Sequence, residues 1–199
     1  MNKNEILKNL DIIVPNPICE LLYTRDYELL IATVLSSQSL DKTVNKVTKV
    51  LFSKYDIYSL KDANLLDIEK IIYSVGSYKK KAKYIISIAK LLVKDYDGKV
   101  PCDRKYLENL PGVGRKTCNL VLSNLYNIPL IVVDTHVKRV SKRLGLTKEE
   151  DPFKIEQDLM NIFPKDKWNR LSHQLVLFGR YICKSKNPLC SKCPFKCKK

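Results

Sequence analysis

The sequence predicts an all-α protein, and three observations carry that prediction. Apolar residues recur at helical spacing in nearly every segment. Capping and terminating residues punctuate those segments. Only residues 128–133 read as β-like, and that run is short enough to be a buried connector.

Thr24 is placed to cap a helix through Tyr27, Leu30, Ile31 and Val34, and Asp41 to cap a second with Val44, Val47 and Leu51 on one face. Asp67 starts a third through Ile71 and Ile72, with Gly76 as its left-handed terminator. A long helix is predicted over Tyr78–Asp95, with Ala82, Ile85, Ile88, Ala89 and Leu92 inward and four lysines near its start. A short helix follows at Asp103–Asn109 and another from Arg115 to about Tyr126. Asp134 precedes a helix ended by Gly145. Asp151 and Pro152 form a strong start signal for a helix reaching Phe163, because proline suits the first helical position. A last helix is predicted over Lys165–Cys183, ahead of a basic tail rich in cysteine. No repeat or low-complexity linker marks a domain boundary.

The chain has 199 residues, 45% of them apolar, which excludes wholesale disorder. Lysine and arginine number 36 against 21 acids, a net charge of +15. Such a charge favours a polyanionic partner, although abundant lysine is also a matter of composition. The longest apolar runs, such as Leu29–Leu35, fall far short of the roughly 20 residues a membrane-spanning helix needs. The first ten residues lack the apolar core of a signal peptide. An intracellular, nucleoid-associated protein is expected, and a reducing compartment turns seven cysteines toward metal rather than disulfides.

The chemistry concentrates in a few places. Leu110, Pro111, Gly112, Val113 and Gly114 form a turn between two short helices. Two glycines there let backbone N–H groups approach a phosphate, and the next helix presents its positive end to the same anion. This is a helix-hairpin-helix pattern, a grip on nucleic-acid backbone; a plain corner between helices reads equally well in isolation. Lys116 falls in the first turn of the following helix, where the dipole disfavours an ammonium. The same field favours the neutral amine that a nucleophile requires. A solvated, phosphate-contacting lysine is the simpler reading of local physics alone.

Through Leu110–Thr117 and the run Val132, Val133, Asp134, Thr135, His136 and Val137, the chain resembles the endonuclease III branch of the helix-hairpin-helix DNA glycosylases. The likeness extends through Leu35–Asp41, Gly76–Tyr78 and the cysteine tail. It implies two helical lobes, a six-helix lobe at 19–128 containing the hairpin (about 103–126) and a discontinuous lobe of 1–18 plus 129–199. It implies a monomeric base-excision enzyme acting on double-stranded DNA that carries an oxidised pyrimidine or an abasic site. Lys116 would attack C1′ of the sugar, and the resulting Schiff base would permit β-elimination of the 3′ phosphate. Asp134 would stabilise positive charge on the sugar, with helix capping as its alternative role. His136 is expected to be structural. Gln38 would fill the gap left by the extruded base, and Gly112, Val113, Gly114, Arg115 and Lys186 would contact DNA. One departure stands out: Ser77 occupies the place where the family commonly has a leucine wedge.

Cys183, Cys190, Cys193 and Cys197 read C-x6-C-x2-C-x3-C, a spacing that argues for metal and accepts either zinc or a [4Fe–4S] cluster. The first three match the family's cluster loop (183–197), including Pro188, and the resemblance favours the cluster; the last spacing is x3 where the family usually has x5. The cluster's implied role is to order the tail and hold Lys184, Lys186 and Lys192 toward phosphate. Cys19, Cys102 and Cys118 are expected to be small apolar fillers. Two other functions compete: a mismatch-type glycosylase without lyase activity, whose relatives lack a lysine at the position of Lys116, and a catalytically silent helix-hairpin-helix DNA-binding protein.

Overall fold

The computed structural model describes residues 2–195 and Cys197, and among them it is helical without a β-strand. Two compact units form, one from residues 20–126 and one from both flanks, 1–19 with 127–199.

The flanking unit opens with α1 (Lys3–Ile13), whose buried face is Ile6 and Leu10. In the central unit follow α2 (Asp26–Ser36), α3 (Asp41–Lys54), the single-turn α4 (Ile57–Leu60), α5 (Leu65–Ile72), α6 (Tyr78–Tyr96), α7 (Arg104–Asn109) and α8 (Arg115–Tyr126). That makes seven helical segments, the single turn α4 being the one that periodicity does not announce. The core of this unit is α2, which is buried continuously from Tyr27 to Leu35 and is contacted by α3, α6 and α8. The flanking unit resumes with α9 (Thr135–Arg143), α10 (Pro152–Ile162) and α11 (Trp168–Tyr181). Its core gathers Val137, Val140, Leu159, Leu171, Leu175 and Phe178 against Ile6 and Leu10 of α1. Asp11 fastens α1 to α11 by accepting from Arg170 Nε and Gln174 Nε2, each at 2.8 Å. The hydrogen bond from Arg170 holds the Asp11 carboxyl below the usual carboxylate range.

Several predicted boundaries need correction. Thr24 does not cap α2. The Glu28 carboxylate reaches back instead, accepting from Thr24 N–H (2.7 Å), Thr24 Oγ1 (2.9 Å) and Arg25 N–H (3.2 Å). Asp41 is the first residue of α3 rather than its cap, and α5 is capped by Asn64, whose Oδ1 accepts from Leu66 N–H at 2.9 Å. Gly76 is not left-handed; Ser77 beside it is, at φ 57°. The last predicted helix begins as a 3-10 turn at Lys165–Lys167 and α11 stops at Tyr181, where the amides of Ile182 and Cys183 both close on Phe178 O. Residues 127–134 form a connector that is neither helix nor strand and opens on a left-handed Asn127, φ 52°. Among the described residues no helix is long and apolar enough to cross a membrane.

Candidate functional site

Within the central unit, the hairpin turn is built by two glycines with different duties. Gly112 sits at φ +79°, and a Cβ there would lie 2.5 Å from Cδ2 of the Tyr84 ring. The fold itself therefore demands this glycine. Gly114 has no such constraint, since a Cβ on it would meet nothing within 4 Å. The open space beside Gly114 leaves its backbone accessible to a phosphate. Val113 is committed to the turn: its side chain is buried and its N–H donates to Leu110 O at 3.1 Å. Gly112→Ala is expected to cost roughly 1–3 kcal/mol of stability, as strained non-glycine residues do. Gly114→Ala should cost no more than about 1 kcal/mol, that of a poorer helix cap, yet weaken duplex binding. Thermal unfolding alongside a binding titration of both variants separates the two duties; equal losses of stability would contradict the division.

Lys116 is the second residue of α8 and is exposed, and its ammonium has no hydrogen-bond or ion-pair partner among the described residues of its unit. Arg115 is exposed beside it. Gln38, also exposed, lies in the loop after α2 and takes a left-handed conformation, φ 55°. The turn before α6 abuts this loop. Gly76 N–H donates to Ser39 Oγ at 3.1 Å, and a Cβ on Gly76 would sit 3.0 Å from Gln38 O. Gln38 and Ser77 are thus neighbours on two strapped loops.

The flanking unit holds the other expected groups. Asp134 is the N-cap of α9, and its Oδ1 accepts from the amides of His136 and Val137, both at 2.8 Å. Both bonds fall on one oxygen, which leaves Oδ2 without a partner among the described residues. His136 is half-buried, and burial pushes it below the usual histidine range. Arg139 Nη2 lies 3.2 Å from its Nδ1, which makes Nδ1 an acceptor and the ring neutral, in keeping with a structural role. The α9–α11 contact closes on Gly179, where a Cβ would stand 2.9 Å from His136 Cβ.

Cys183, Cys190, Cys193 and Cys197 line one cavity of about 300 Å³ together with Arg143, Ile182, Pro188 and Leu189. Sequence spacing alone missed Arg143, whose Nη1 donates to Cys183 Sγ at 3.4 Å and to Lys184 O at 2.7 Å. Arg139 Nε adds a bond to Cys183 O at 3.2 Å. Phe195, buried against Phe178 edge-on at 5.3 Å, anchors the end of the loop. Lys184, Lys186 and Lys192 are exposed. Of the remaining cysteines, Cys118 is a buried filler whose thiol burial pushes up to about 11, whereas Cys102 is exposed and fills nothing.

A glycine-built turn between α7 and α8, with Lys116 two residues past Gly114, defines a helix-hairpin-helix protein. The family described as "HhH-GPD superfamily base excision DNA repair protein" matches residues 31–165. Endonuclease III of Bacillus subtilis (strain 168) is 45% identical over 185 residues, covering 90% of this chain and 83% of the relative. Endonuclease III of Synechocystis sp. is 44% identical over 191 residues, covering 95% and 87%. A solved structure of a trapped endonuclease III–DNA covalent intermediate superimposes with a TM-score of 0.91 at 44% identity, covering 98% of this chain and 93% of that one. The chain belongs to the endonuclease III family within that superfamily.

Proposed function

We propose that the chain is a bifunctional DNA glycosylase and AP lyase, removing oxidised pyrimidines from duplex DNA and nicking the strand 3′ to the abasic site. The observation that carries this reading is Lys116, an exposed amine without a partner among the described residues, in the first turn of α8 and two residues past the open backbone of Gly114. The hairpin amides and the positive end of α8 hold the phosphate chain. The Lys116 amine adds to C1′ as the C1′–N bond to the base breaks, and the base leaves with a proton. The nitrogen then gives up a proton and O4′ takes one as the C1′–O4′ bond breaks, which leaves an open-chain Schiff base. Loss of a proton from C2′ of that Schiff base breaks the C3′–O bond and expels the 3′ phosphate. Asp134, with Oδ2 unengaged among the described residues, stabilises positive charge on the sugar and relays protons. Gln38 fills the space vacated in the base stack, against an extrusion cost of a few kcal/mol. The enzyme works as an intracellular monomer on double-stranded DNA, and the two compact units are its functional lobes.

The donor set of the cysteine loop fits an iron–sulfur cluster. All four cysteines line one cavity of about 300 Å³, Cys197 included despite its x3 spacing, which has room for a cluster held by four thiolates. Cys183, Cys190, Cys193 and Cys197 would hold the [4Fe–4S] group, with Arg143 donating to the Cys183 sulfur. Its contribution is cohesion of the tail that presents Lys184, Lys186 and Lys192. Anaerobically purified protein is expected to be brown with about four irons per chain, and Cys197→Ser to lose iron and unfold at lower temperature. Stoichiometric zinc in a colourless preparation would reverse the assignment of the metal.

Incubation with a duplex carrying an oxidised pyrimidine, followed by borohydride, tests the function. Base release with a covalent adduct is the expected result. Base release without an adduct would support a monofunctional enzyme, and duplex binding with neither would support a DNA-binding protein alone.

A further inference from the structure

Lys81, one of four lysines at the start of α6, differs from its neighbours in being 6% exposed. Its ammonium donates to Leu35 O at 2.8 Å, to Ser37 O, and to Ser39 Oγ at 3.5 Å. All three acceptors are neutral, and three is the donor capacity of an ammonium. Two of them are carbonyls at the C-terminus of α2, where the helix leaves acceptors unsatisfied and its dipole favours a cation. Ser39 Oγ in turn accepts from Gly76 N–H, and Ser39 N–H closes on Ser36 O at 3.1 Å. Gln38 lies at the centre of this arrangement in a left-handed conformation that a glutamine seldom adopts unaided. Burial of the ammonium lowers its proton affinity, a cost tolerated for a fixed set of bonds.

We infer that Lys81 is a positioning residue for base extrusion: its buried ammonium clamps residues 35–39 to the start of α6 and holds Gln38 pre-formed for insertion into the duplex. The inference rests on the role proposed above for Gln38. A pre-formed loop spends no binding energy on ordering itself when the base leaves the stack. Lys81 touches neither DNA nor the reacting sugar; it acts through Gln38.

The test is a double-mutant cycle of Lys81→Met and Gln38→Ala, read as single-turnover base release from a duplex containing an oxidised pyrimidine. Lys81→Met is expected to slow base release about tenfold when Gln38 is present and less than about threefold when it is alanine. Amide exchange is followed in parallel: Ser39 and Gly76 N–H should exchange faster in Lys81→Met while the amides of Ile85 and Ile88 keep their protection. Equal slowing in both backgrounds, or no slowing, would overturn the inference, because a merely structural lysine affects the two alike. Should Lys81→Met fail to fold, Ser39→Ala replaces it in the same cycle, with coupling to Gln38 in support and independence against. Should the wild-type protein release no base, the functional reading fails by itself, and the exchange of Ser39 and Gly76 alone decides whether Lys81 holds the loop.

Discussion

Replacing Lys116 with alanine is expected to erase the borohydride adduct on an abasic duplex and to slow strand cleavage by about 10³-fold or more, the scale on which loss of a nucleophile acts. Stability should move the other way. The side chain is exposed and makes no bond within its unit, so nothing is broken by its removal. The substitution also takes a cation away from the positive end of α8, a gain of about 0.3–1 kcal/mol. A variant that is inactive yet at least as stable as the parent identifies a residue kept for chemistry at some expense to the helix. Adduct formation that survives Lys116→Ala would assign the amine to another residue and remove the main support for the lyase reading.

Asp134→Asn separates two duties that share one side chain. Asparagine caps helices about as well as aspartate, so the amides of His136 and Val137 keep an acceptor and the stability of α9 should change by less than about 1 kcal/mol. The charge, however, is gone, and so is the ability to relay a proton. Base release should fall by about 10²–10⁴-fold, the usual size of a general acid–base contribution. Thermal unfolding measured beside single-turnover kinetics resolves the question. Full activity in Asp134→Asn, with loss only in Asp134→Ala, would reduce Asp134 to a cap.

The all-helical class was legible in the sequence, as were the ends of the helices closed by strong local signals. Asp134 and Asp151 each precede a helix and accept from its first amides, and Gly145, expected to end α9, lies just past Leu144 in a left-handed conformation. The misplaced boundaries lie where tertiary burial overrides local chemistry. Helix α2 is buried on every side, so no polar face marks where it starts, and Glu28 reaches back to the amides of Thr24 and Arg25 just ahead of it while Thr24 caps nothing. The family was legible because the hairpin, the Asp134–His136 run and the cysteine spacing are each local. Lys81 was not: the sequence shows it as one lysine among Lys79, Lys80 and Lys83, and only the fold determines which of the four turns inward. Arg143 was hidden for the same reason, its partners lying forty residues away, at 183–185.

The latch between Asp11 and Arg170 joins segments that leave the ribosome far apart in time. Residues 20–126 can complete their own core while the remainder is still being translated, as self-contained units generally do. Helix α1 has no such option. Ile6 and Leu10 stay uncovered until Leu171 and Leu175 of α11 arrive, and the cysteine loop emerges later still. Helix α1 therefore closes onto its core only after α11 has been made, and a nascent chain stalled before residue 168 would display the apolar face of α1, Ile6 and Leu10, to any chaperone nearby.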